Sequence, residues 1–195
     1  ESVKLTLAGV HNVANALAVA AMARSVGVSV EQICSGLEGF TGVDRRLSYK
    51  GNVQGVVVLD DYAHHPTEIQ TTLEAIAAKY CRSERPGRLW CVFQPHQHSR
   101  TRFFLSEFAS SFRWADIVLL PDIYFVRESE QLRREVNAGQ LADRINENGG
   151  EARYMGEFDN IVNTLACEVQ AGDVVVTMGA GDVWKVADEL ICRLG

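Results

Sequence analysis

The stretch VVVLDDYAHHPTEIQTTL, residues 56–73, passes from a β-branched run through a polar turn into a helical pattern. The run at its start is almost wholly apolar, which is typical of a strand that is buried on both faces. Pro66 suits the first position of a helix and Glu68 the third, so the helix should begin next to His65. The stretch therefore predicts one strand, one turn and one helix in succession.

The same succession repeats toward the C-terminus. Further strands are predicted at 89–93, 116–121, 151–155 and 173–178, after a first one at 56–60. Helices are predicted at about 66–80, 101–114, 130–148, 158–170 and 181–194. Because a parallel crossover needs a dozen or more residues and usually contains a helix, we predict an α/β fold. The expected architecture is a Rossmann-like, mostly parallel sheet with helices on both faces.

Two helical segments precede this α/β pattern. Residues 11–26 are rich in helix formers and apolar on more than one face, which predicts a buried helix that ends at Gly27. A shorter amphipathic helix should follow from Val30, with Ser29 as its N-cap. These helices are too few to form a core, so we expect them to be the end of a preceding domain.

Composition excludes several classes of protein. The 195 residues carry a net charge of -6, whereas nucleic-acid-binding proteins usually have a basic face, so we expect no nucleic-acid partner. Five scattered cysteines show no disulfide or zinc spacing, which indicates a reducing cytoplasm. No apolar run approaches the length of a membrane span, and we expect no membrane association.

The polar turn after the first strand gathers two aspartates, a tyrosine and two histidines at residues 60–65. The positive end of the helix dipole disfavours imidazolium, so His64 and His65 should have lowered pKa values and be neutral at pH 7. Neutral rings can accept a proton or a hydrogen bond. The alternative is that Asp60 or Asp61 caps a turn while the histidines only pack.

Two more turns carry polar or flexible residues. In FQPHQHSRTR, residues 93–102, Arg100 and Arg102 fall at a predicted helix start, where a bound carboxylate or phosphate would offset their charge. Otherwise these arginines reach solvent or pair with Glu107. In MGAGDVW, residues 178–184, two glycines permit close approach of a ligand to the backbone. The alternative there is a tight turn capped by Asp182.

Turns that follow parallel strands meet at one edge of a sheet, so His64, His96 and Gly179 should lie along one rim. The sequence contains no G-x-x-x-x-G-K-[ST] phosphate loop. The residues alone therefore predict a polar site without the usual cradle for a nucleoside triphosphate.

Five segments, in this order and spacing, resemble the C-terminal part of the Mur ligase family: GVHNVANALAVAAMA, FTGVDRRL, DDYAHHPTE, FQPHQHSRTR and MGAGDVW. The resemblance covers essentially the whole chain. It implies an ATP-dependent ligase that forms an amide through an acyl phosphate, with UDP-N-acetylmuramate and L-alanine as substrates. Residues 1–46 would be the last helices of the central ATP-binding domain, and residues 47–195 the amino-acid-binding domain. ATP and Mg²⁺ would be bound mainly by a part upstream of Glu1, so this fragment should be inactive alone.

The resemblance also implies roles for single residues. The nucleotide side would comprise His11, Asn12, Asn15, Arg46 and Asp61. Of these, Asn15 would read the adenine edge, because an amide both donates and accepts hydrogen bonds, and Asp61 would hold ribose hydroxyls. The amino-acid side would comprise Tyr62, His64, His65, His96 and Arg100. His64 and Arg100 would be catalytic: His64 orients or deprotonates the ammonium group, and Arg100 fixes the carboxylate.

The sequence departs from the family pattern at Gln97, where arginine is expected, and at Ala63, where glycine is expected. Gln97 cannot offer a charged fork to a carboxylate, which keeps open a muropeptide-recycling ligase that adds a preformed tripeptide. A non-catalytic binding module is a second alternative. A metal-dependent hydrolase is a third, because six residues are of metal-binding types: Asp60, Asp61, His64, His65, His96 and His98.

Overall fold

The computed structural model describes residues 2–6, 10–40, 42–43, 45–80, 87–126 and 128–195, without the side chains of residues 11, 130 and 132. The chain divides into two compact units, Glu1–Asp44 and Arg45–Gly195. Cys81 lies outside the described residues.

The first unit contains two helices, α1 (Val10–Ser25) and α2 (Val30–Gly39). The predicted N-cap of α2 is confirmed: the Gln32 amide N–H donates to Ser29 Oγ at 3.3 Å. In return, the Ser29 N–H donates to the Gln32 side chain at 3.2 Å. This reciprocal pair satisfies two amide groups that the helix itself leaves unbonded.

The prediction that α1 is a buried helix is wrong for this chain. Leu17 and Met22 keep 67% and 65% of their surface exposed, and no described residue of the first unit is buried. The physical reason is that α2 alone is too small to cover a helix that is apolar on more than one face.

The described residues of the second unit form a six-stranded sheet. Its strands are β1 (Ser48–Val53), β2 (Val56–Asp61), β3 (Leu89–Phe93), β4 (Ile117–Pro121), β5 (Ala152–Gly156) and β6 (Val174–Met178). The strand order is β1-β2-β6-β3-β4-β5, with every pair parallel except β1 with β2. The predicted fold class and the five predicted strands are confirmed.

Strand β1 is the one strand that we did not predict from the sequence. It forms an antiparallel hairpin with β2 through Gln54 and Gly55, whose φ angles of +52° and +82° fit a tight two-residue turn. No residue of β1 is fully buried, and its sequence SYKGNV lacks the run of apolar residues that marks β2, β3, β4 and β6.

Helices cover both faces of the sheet. They are α3 (Pro66–Tyr80), α4 (His98–Phe103), α5 (Leu105–Ser111), α6 (Glu130–Glu135), α7 (Ala138–Glu147), α8 (Phe158–Glu168) and α9 (Trp184–Leu194). One core packs α3, α5 and α7 against the sheet through Leu73, Phe108 and Leu141. The other packs α8 and α9 through Leu165 and Leu190. None of the described helices is both long enough and apolar enough to cross a membrane.

Two predicted helices are each divided into two. The segment predicted at 101–114 is interrupted at Phe104, which lies between α4 and α5. The segment predicted at 130–148 is interrupted at Asn137, which caps α7 by accepting the Gln140 N–H at 3.0 Å. A residue that can cap a helix also favours starting a new one.

The position of β6 creates a topological switch point at the C-terminal edge of the sheet. β6 lies between β2 and β3, and the chain leaves β2 and β3 toward α3 and α5 on one face but leaves β6 toward α9 on the other. Ligands bind at such switch points in open α/β sheets.

Candidate functional site

The turns that follow β2, β3 and β6 meet at this edge, as predicted. The Gly179 N–H donates to the Asp61 carbonyl at 3.2 Å, and the Gln94 N–H donates to the Met178 carbonyl at 2.9 Å. His64 also lies close enough to His96 for its charge to lower the pKa of His96. The loops that carry His64, His96 and Gly179 thus share one rim.

The turn after β2 begins α3 at Pro66, as predicted. Glu68 Oε2 accepts the amide N–H groups of His64 and His65 at 3.1 and 3.2 Å. His65 Nδ1 accepts the Thr67 N–H at 3.4 Å, and its ring packs edge-on against Phe104 at 5.1 Å. His65 therefore serves the helix start, and a role for it in substrate binding stays a prediction.

His64 has a defined orientation beside Tyr62. Its Nδ1 lies 3.0 Å from the Tyr62 carbonyl oxygen, which can only accept a hydrogen bond. A neutral His64 ring must then carry its proton on Nδ1, so Nε2 is the nitrogen that can accept a proton. The side chain is 25% exposed, so a small ligand can reach it. The neutral state of His64 and His65 stays a prediction.

Asp61 is committed to the backbone. Its two carboxylate oxygens accept the N–H groups of Ala63 at 2.7 Å and Leu47 at 2.6 Å. Burial raises the pKa of this carboxyl, against the opposing effect of these hydrogen bonds, and the charges of Asp60 and Glu68 raise it further. Asp61 thus caps the turn, as one alternative interpretation of the sequence suggested. Its ribose-binding role stays a prediction.

Arg45, and not its neighbour Arg46, forms the contacts at the rim. Arg45 Nε lies 3.0 Å from Asp60 Oδ2, and its two terminal nitrogens donate to the carbonyls of Gly179 and Gly181 at 2.5 and 3.0 Å. Arg46 is exposed. Sequence reasoning selected Arg46 and missed Arg45, because the carbonyl partners of Arg45 are more than 130 residues away.

Three of the residues predicted to bind the nucleotide belong to the first unit. Asn12 and Asn15 lie on α1 three residues apart, a spacing that places both on one face of the helix. His11 precedes them on the same helix. Their nucleotide-binding role stays a prediction.

The loop after β3 carries two buried polar atoms that lack a partner among the described residues, Gln94 Oε1 and His96 Nδ1. The His96 ring stacks on Tyr124 with 5.3 Å between centroids, and Tyr124 lies in the loop after β4. A Cβ on Gly181 would lie only 2.5 Å from Gln94 Oε1. Unsatisfied buried polar atoms are costly, so their position next to a glycine loop indicates a place for a ligand or water.

Tyr124 is a site residue that sequence reasoning missed. Its N–H donates to the Pro95 carbonyl at 2.8 Å, and its carbonyl accepts the Gln97 N–H at 3.1 Å. These bonds continue the pairing of β3 and β4 past the strand ends. A signal was available in the sequence, because consecutive strands of an α/β fold are usually neighbours, so the loops after the strands predicted at 89–93 and 116–121 should meet.

Gln97 adopts an uncommon backbone conformation, with φ +69° and ψ 132°. A side chain in this region costs about 1–3 kcal/mol, and such strain concentrates at functional sites. Gln97 therefore occupies a strained position at the point where the sequence departs from the family pattern.

The anion at the start of α4 is Glu128, a residue of the chain itself. Its carboxylate accepts the N–H groups of His98 at 2.6 Å and Ser99 at 2.9 Å, and the Ser99 hydroxyl at 2.5 Å. Burial alone would raise the pKa of Glu128, but these hydrogen bonds lower it to about 2. The expectation that helix N–H groups here hold a bound carboxylate or phosphate is therefore wrong.

The two arginines of α4 differ in their surroundings. Arg102 forms an ion pair with Glu135, not with Glu107 as one interpretation suggested. Arg100 is half-buried, and its guanidinium makes no hydrogen bond or ion pair with any described residue. Arg100 is thus available to bind an anion.

In the loop after β6, Asp182 does not cap α9 but pairs with Lys185 at 2.9 Å.

The surroundings of His96 lead to a titration experiment. Burial lowers the pKa of His96 below its usual 6.5, and the positive charge of Arg100 lowers it further. The ring should therefore be neutral at pH 7 and gain its proton only as the pH falls below 6.5. We expect NMR titration of Arg100→Gln to give a higher His96 midpoint than the unmodified protein.

Arg102→Gln is the matched control, because Arg102 is exposed and already paired with Glu135. The titration midpoint of His96 in Arg102→Gln should equal that in the unmodified protein. Equal midpoints in the Arg100→Gln variant and the unmodified protein would contradict the proximity of Arg100 and His96.

Comparison with known proteins identifies relatives of this chain. A family model described as "Mur ligase, glutamate ligase domain" matches residues 45–181. UDP-N-acetylmuramate–L-alanine ligases of Acetivibrio thermocellus and Agathobacter rectalis are each 44% identical to the chain, over 96% and 97% of it. The chain spans about two fifths of the length of these curated relatives, 38% and 40%.

Solved structures give the same relationship. A UDP-N-acetylmuramate–alanine ligase from Thermotoga maritima matches 98% of this chain and 39% of its own, with TM-score 0.77 and 27% identity. A murein peptide ligase from Psychrobacter arcticus matches 99% of this chain and 38% of its own, with TM-score 0.73 and 30% identity.

Proposed function

Because the chain belongs to the Mur ligase family, we propose that it is the C-terminal part of an ATP-dependent ligase of peptidoglycan synthesis. That enzyme would join L-alanine to UDP-N-acetylmuramate through an acyl phosphate in the cytoplasm. Residues 1–46 would end its ATP-binding domain, and residues 47–195 would form its amino-acid-binding domain. The 44% identity to two L-alanine ligases supports this substrate over a preformed tripeptide.

The observation that carries the proposal is the set of uncommitted polar groups on one rim. Arg100 has no partner among the described residues, His96 Nδ1 is buried and unbonded, and the His64 tautomer leaves Nε2 able to accept. A cation beside two imidazole rings suits an amino acid, which presents a carboxylate and an ammonium group a few ångströms apart.

The described residues of this chain do not form a complete site for Mg²⁺ and the triphosphate of ATP. The sequence has no phosphate loop, and the described residues contain no group of three His, Cys, Asp or Glu side chains that could hold a metal ion. In particular, Asp60 is engaged by Arg45 and Thr177. Phosphoryl chemistry is therefore assigned to another part of the enzyme, and the metal-dependent hydrolase is not proposed.

On the amino-acid side, Arg100 would bind the carboxylate of L-alanine, with His96 as a neutral hydrogen-bonding neighbour. His64 would hold the ammonium group by a hydrogen bond to Nε2 and take one of its protons there, so that the lone pair of the free amine can attack. Tyr62 and His65 would line the same site. The main catalytic contribution of these residues would be to hold the amine next to the acyl phosphate, because a reaction between two bound groups is faster than one that depends on their encounter in solution.

On the nucleotide side, the proposal assigns His11, Asn12, Asn15, Arg46 and Asp61 to ATP. These assignments follow the family pattern.

The net charge of -6 supports the absence of a nucleic-acid partner.

The test is a ligase assay on the natural polypeptide that contains these residues. Phosphate release from ATP should require both UDP-N-acetylmuramate and L-alanine. A parallel reaction replaces L-alanine by a tripeptide that begins with L-alanine, which separates the two ligase types. Phosphate release with the tripeptide but not with L-alanine would favour the recycling enzyme. Phosphate release with neither would reject the ligase.

Two substitutions test the assigned roles in the same assay. His64→Ala should lower turnover at least about tenfold, because it removes the proton acceptor. Arg100→Gln should raise the KM for L-alanine about tenfold or more while leaving the KM for ATP unchanged, because an ionic hydrogen bond is lost.

Arg102→Gln is the control for both, since Arg102 pairs with Glu135 at the surface. The turnover and the KM values of the Arg102→Gln variant should equal those of the unmodified enzyme. A His64→Ala enzyme with full turnover would reject the role of His64.

A further inference from the structure

Arg45 joins three segments that lie at the rim. Its guanidinium contacts the Asp60 carboxylate at the end of β2 and the carbonyls of Gly179 and Gly181 in the loop after β6. Its own carbonyl accepts the Tyr62 N–H at 2.6 Å. A planar guanidinium can hold several acceptors at once in fixed directions, which an ammonium group cannot.

The surroundings of Arg45 make this arrangement rigid. Asp60 is 2% exposed and also accepts the Thr177 hydroxyl at 2.6 Å, so its charge needs a partner. The Arg45 guanidinium lies over the Tyr62 ring at 5.2 Å from the centroid. The Arg45 backbone has φ +61°, an uncommon conformation for a residue with a side chain. The fold thus accepts strain to place Arg45 at this point.

One path leads from Arg45 to His64. The Arg45 carbonyl fixes the Tyr62 amide, and the Tyr62 carbonyl lies 3.0 Å from His64 Nδ1. The Tyr62 and His64 rings also meet edge-on at 5.1 Å. The position of Arg45 therefore influences the orientation of His64.

A second path leads from Arg45 to His96. Gly181, whose carbonyl Arg45 holds, has no room for a side chain: a Cβ there would lie 2.9 Å from the Tyr124 ring. Tyr124 in turn stacks on His96. A movement of the glycine loop would therefore displace Tyr124, and with it the His96 ring.

We propose that Arg45 is a positioning residue of the ligase reaction: it sets His64 and His96 relative to one another without touching substrate. This inference rests on the proposed function and adds to it a residue outside the amino-acid site itself. Arg45 acts through the Tyr62 backbone on one side and through the glycine loop on the other.

The experiment uses Arg45→Lys in the natural polypeptide. Lysine keeps the charge beside Asp60 but cannot hold both carbonyls and the carboxylate in one plane. We expect the KM for L-alanine to rise about tenfold and kcat to fall a fewfold, with the KM for ATP within about twofold of the unmodified enzyme.

Arg88→Lys is a matched control at the opposite edge of the sheet. Arg88 also binds a buried aspartate, Asp173, at 3.2 Å, donates to the Glu168 carbonyl at 2.6 Å and lies over the Trp90 ring. Its substitution removes similar contacts, so stability should fall by a similar amount while the KM for L-alanine stays unchanged. Equal KM values for L-alanine in the two variants would overturn the inference.

A second readout does not depend on activity. The titration midpoint of His96, followed by NMR, should shift in Arg45→Lys and not in Arg88→Lys, because only Arg45 acts on the Tyr124 contact. If the unmodified enzyme shows no activity with L-alanine, the proposed function fails but this titration still tests Arg45. An unshifted midpoint in Arg45→Lys would overturn its positioning role.

Discussion

Gly179→Ala is expected to lower the free energy of unfolding by about 3 kcal/mol, the sum of backbone strain and overpacking. Gly179 has φ +142°, a region that residues with side chains rarely adopt. An added Cβ would also lie 2.6 Å from the Gln94 carbonyl oxygen, which belongs to the backbone and cannot rotate away. The loop that Arg45 holds would have to move, so amino-acid binding should be lost together with stability.

Gly149→Ala separates the two causes. Gly149 also has a positive φ, +86°, but no other described atom lies within 4 Å of an added Cβ. Its substitution should cost only the conformational strain, about 1–2 kcal/mol. Urea unfolding of both variants measures the difference. Equal losses would contradict the steric part of the argument.

Glu128→Gln should destabilise the protein by about 3 kcal/mol at pH 7. The Glu128 pKa of about 2 lies well below the usual 4.5, and each pKa unit corresponds to about 1.4 kcal/mol. The Glu128 side chain is 4% exposed, so solvent screens these interactions little. A glutamine amide would turn an N–H₂ group toward donors of His98 or Ser99 and leave them unbonded.

The pH dependence of this effect has a definite sign. Because the pKa is lower in the folded protein, the ionised carboxylate stabilises the fold above about pH 4.5, and this stabilisation is lost as the pH falls toward about 2. The difference in unfolding free energy between Glu128→Gln and the unmodified protein should therefore narrow over that range. A difference that stays constant with pH would contradict the assignment.

Glu147→Gln serves as the control for Glu128→Gln. Glu147 forms an ion pair with Arg144 at 3.0 Å, but both side chains are at least half exposed. Exposed pairs contribute little, so this substitution should change stability by less than about 0.5 kcal/mol.

Five strands and the start of α3 could be predicted because their signals are local. β2, β3, β4 and β6 are buried at every position, so their sequences are mostly apolar, with Asp60, Asp61 and Thr177 as the polar exceptions. Pro66 and Glu68 mark the beginning of α3 within a few residues of each other. Such patterns need no knowledge of the rest of the fold.

The features that could not be predicted depend on contacts between distant residues. The Glu128 side chain binds amides 29 and 30 residues away, and Arg45 binds carbonyls 134 and 136 residues away. Nothing local distinguishes Arg45 from Arg46. The same holds for β1, whose half-buried residues become a strand only because β2 offers an unpaired edge.

The central place of β6 determines when this sheet can be completed during synthesis. The hairpin of β1 and β2 and the group of β3, β4 and β5 leave the ribosome before the strand that joins them. Until Met178 has emerged, the nascent chain holds two incomplete sheets whose apolar inner edges can pair with other polypeptides. A premature stop codon before Val174 would therefore remove the middle of the sheet, and its product should aggregate or be degraded.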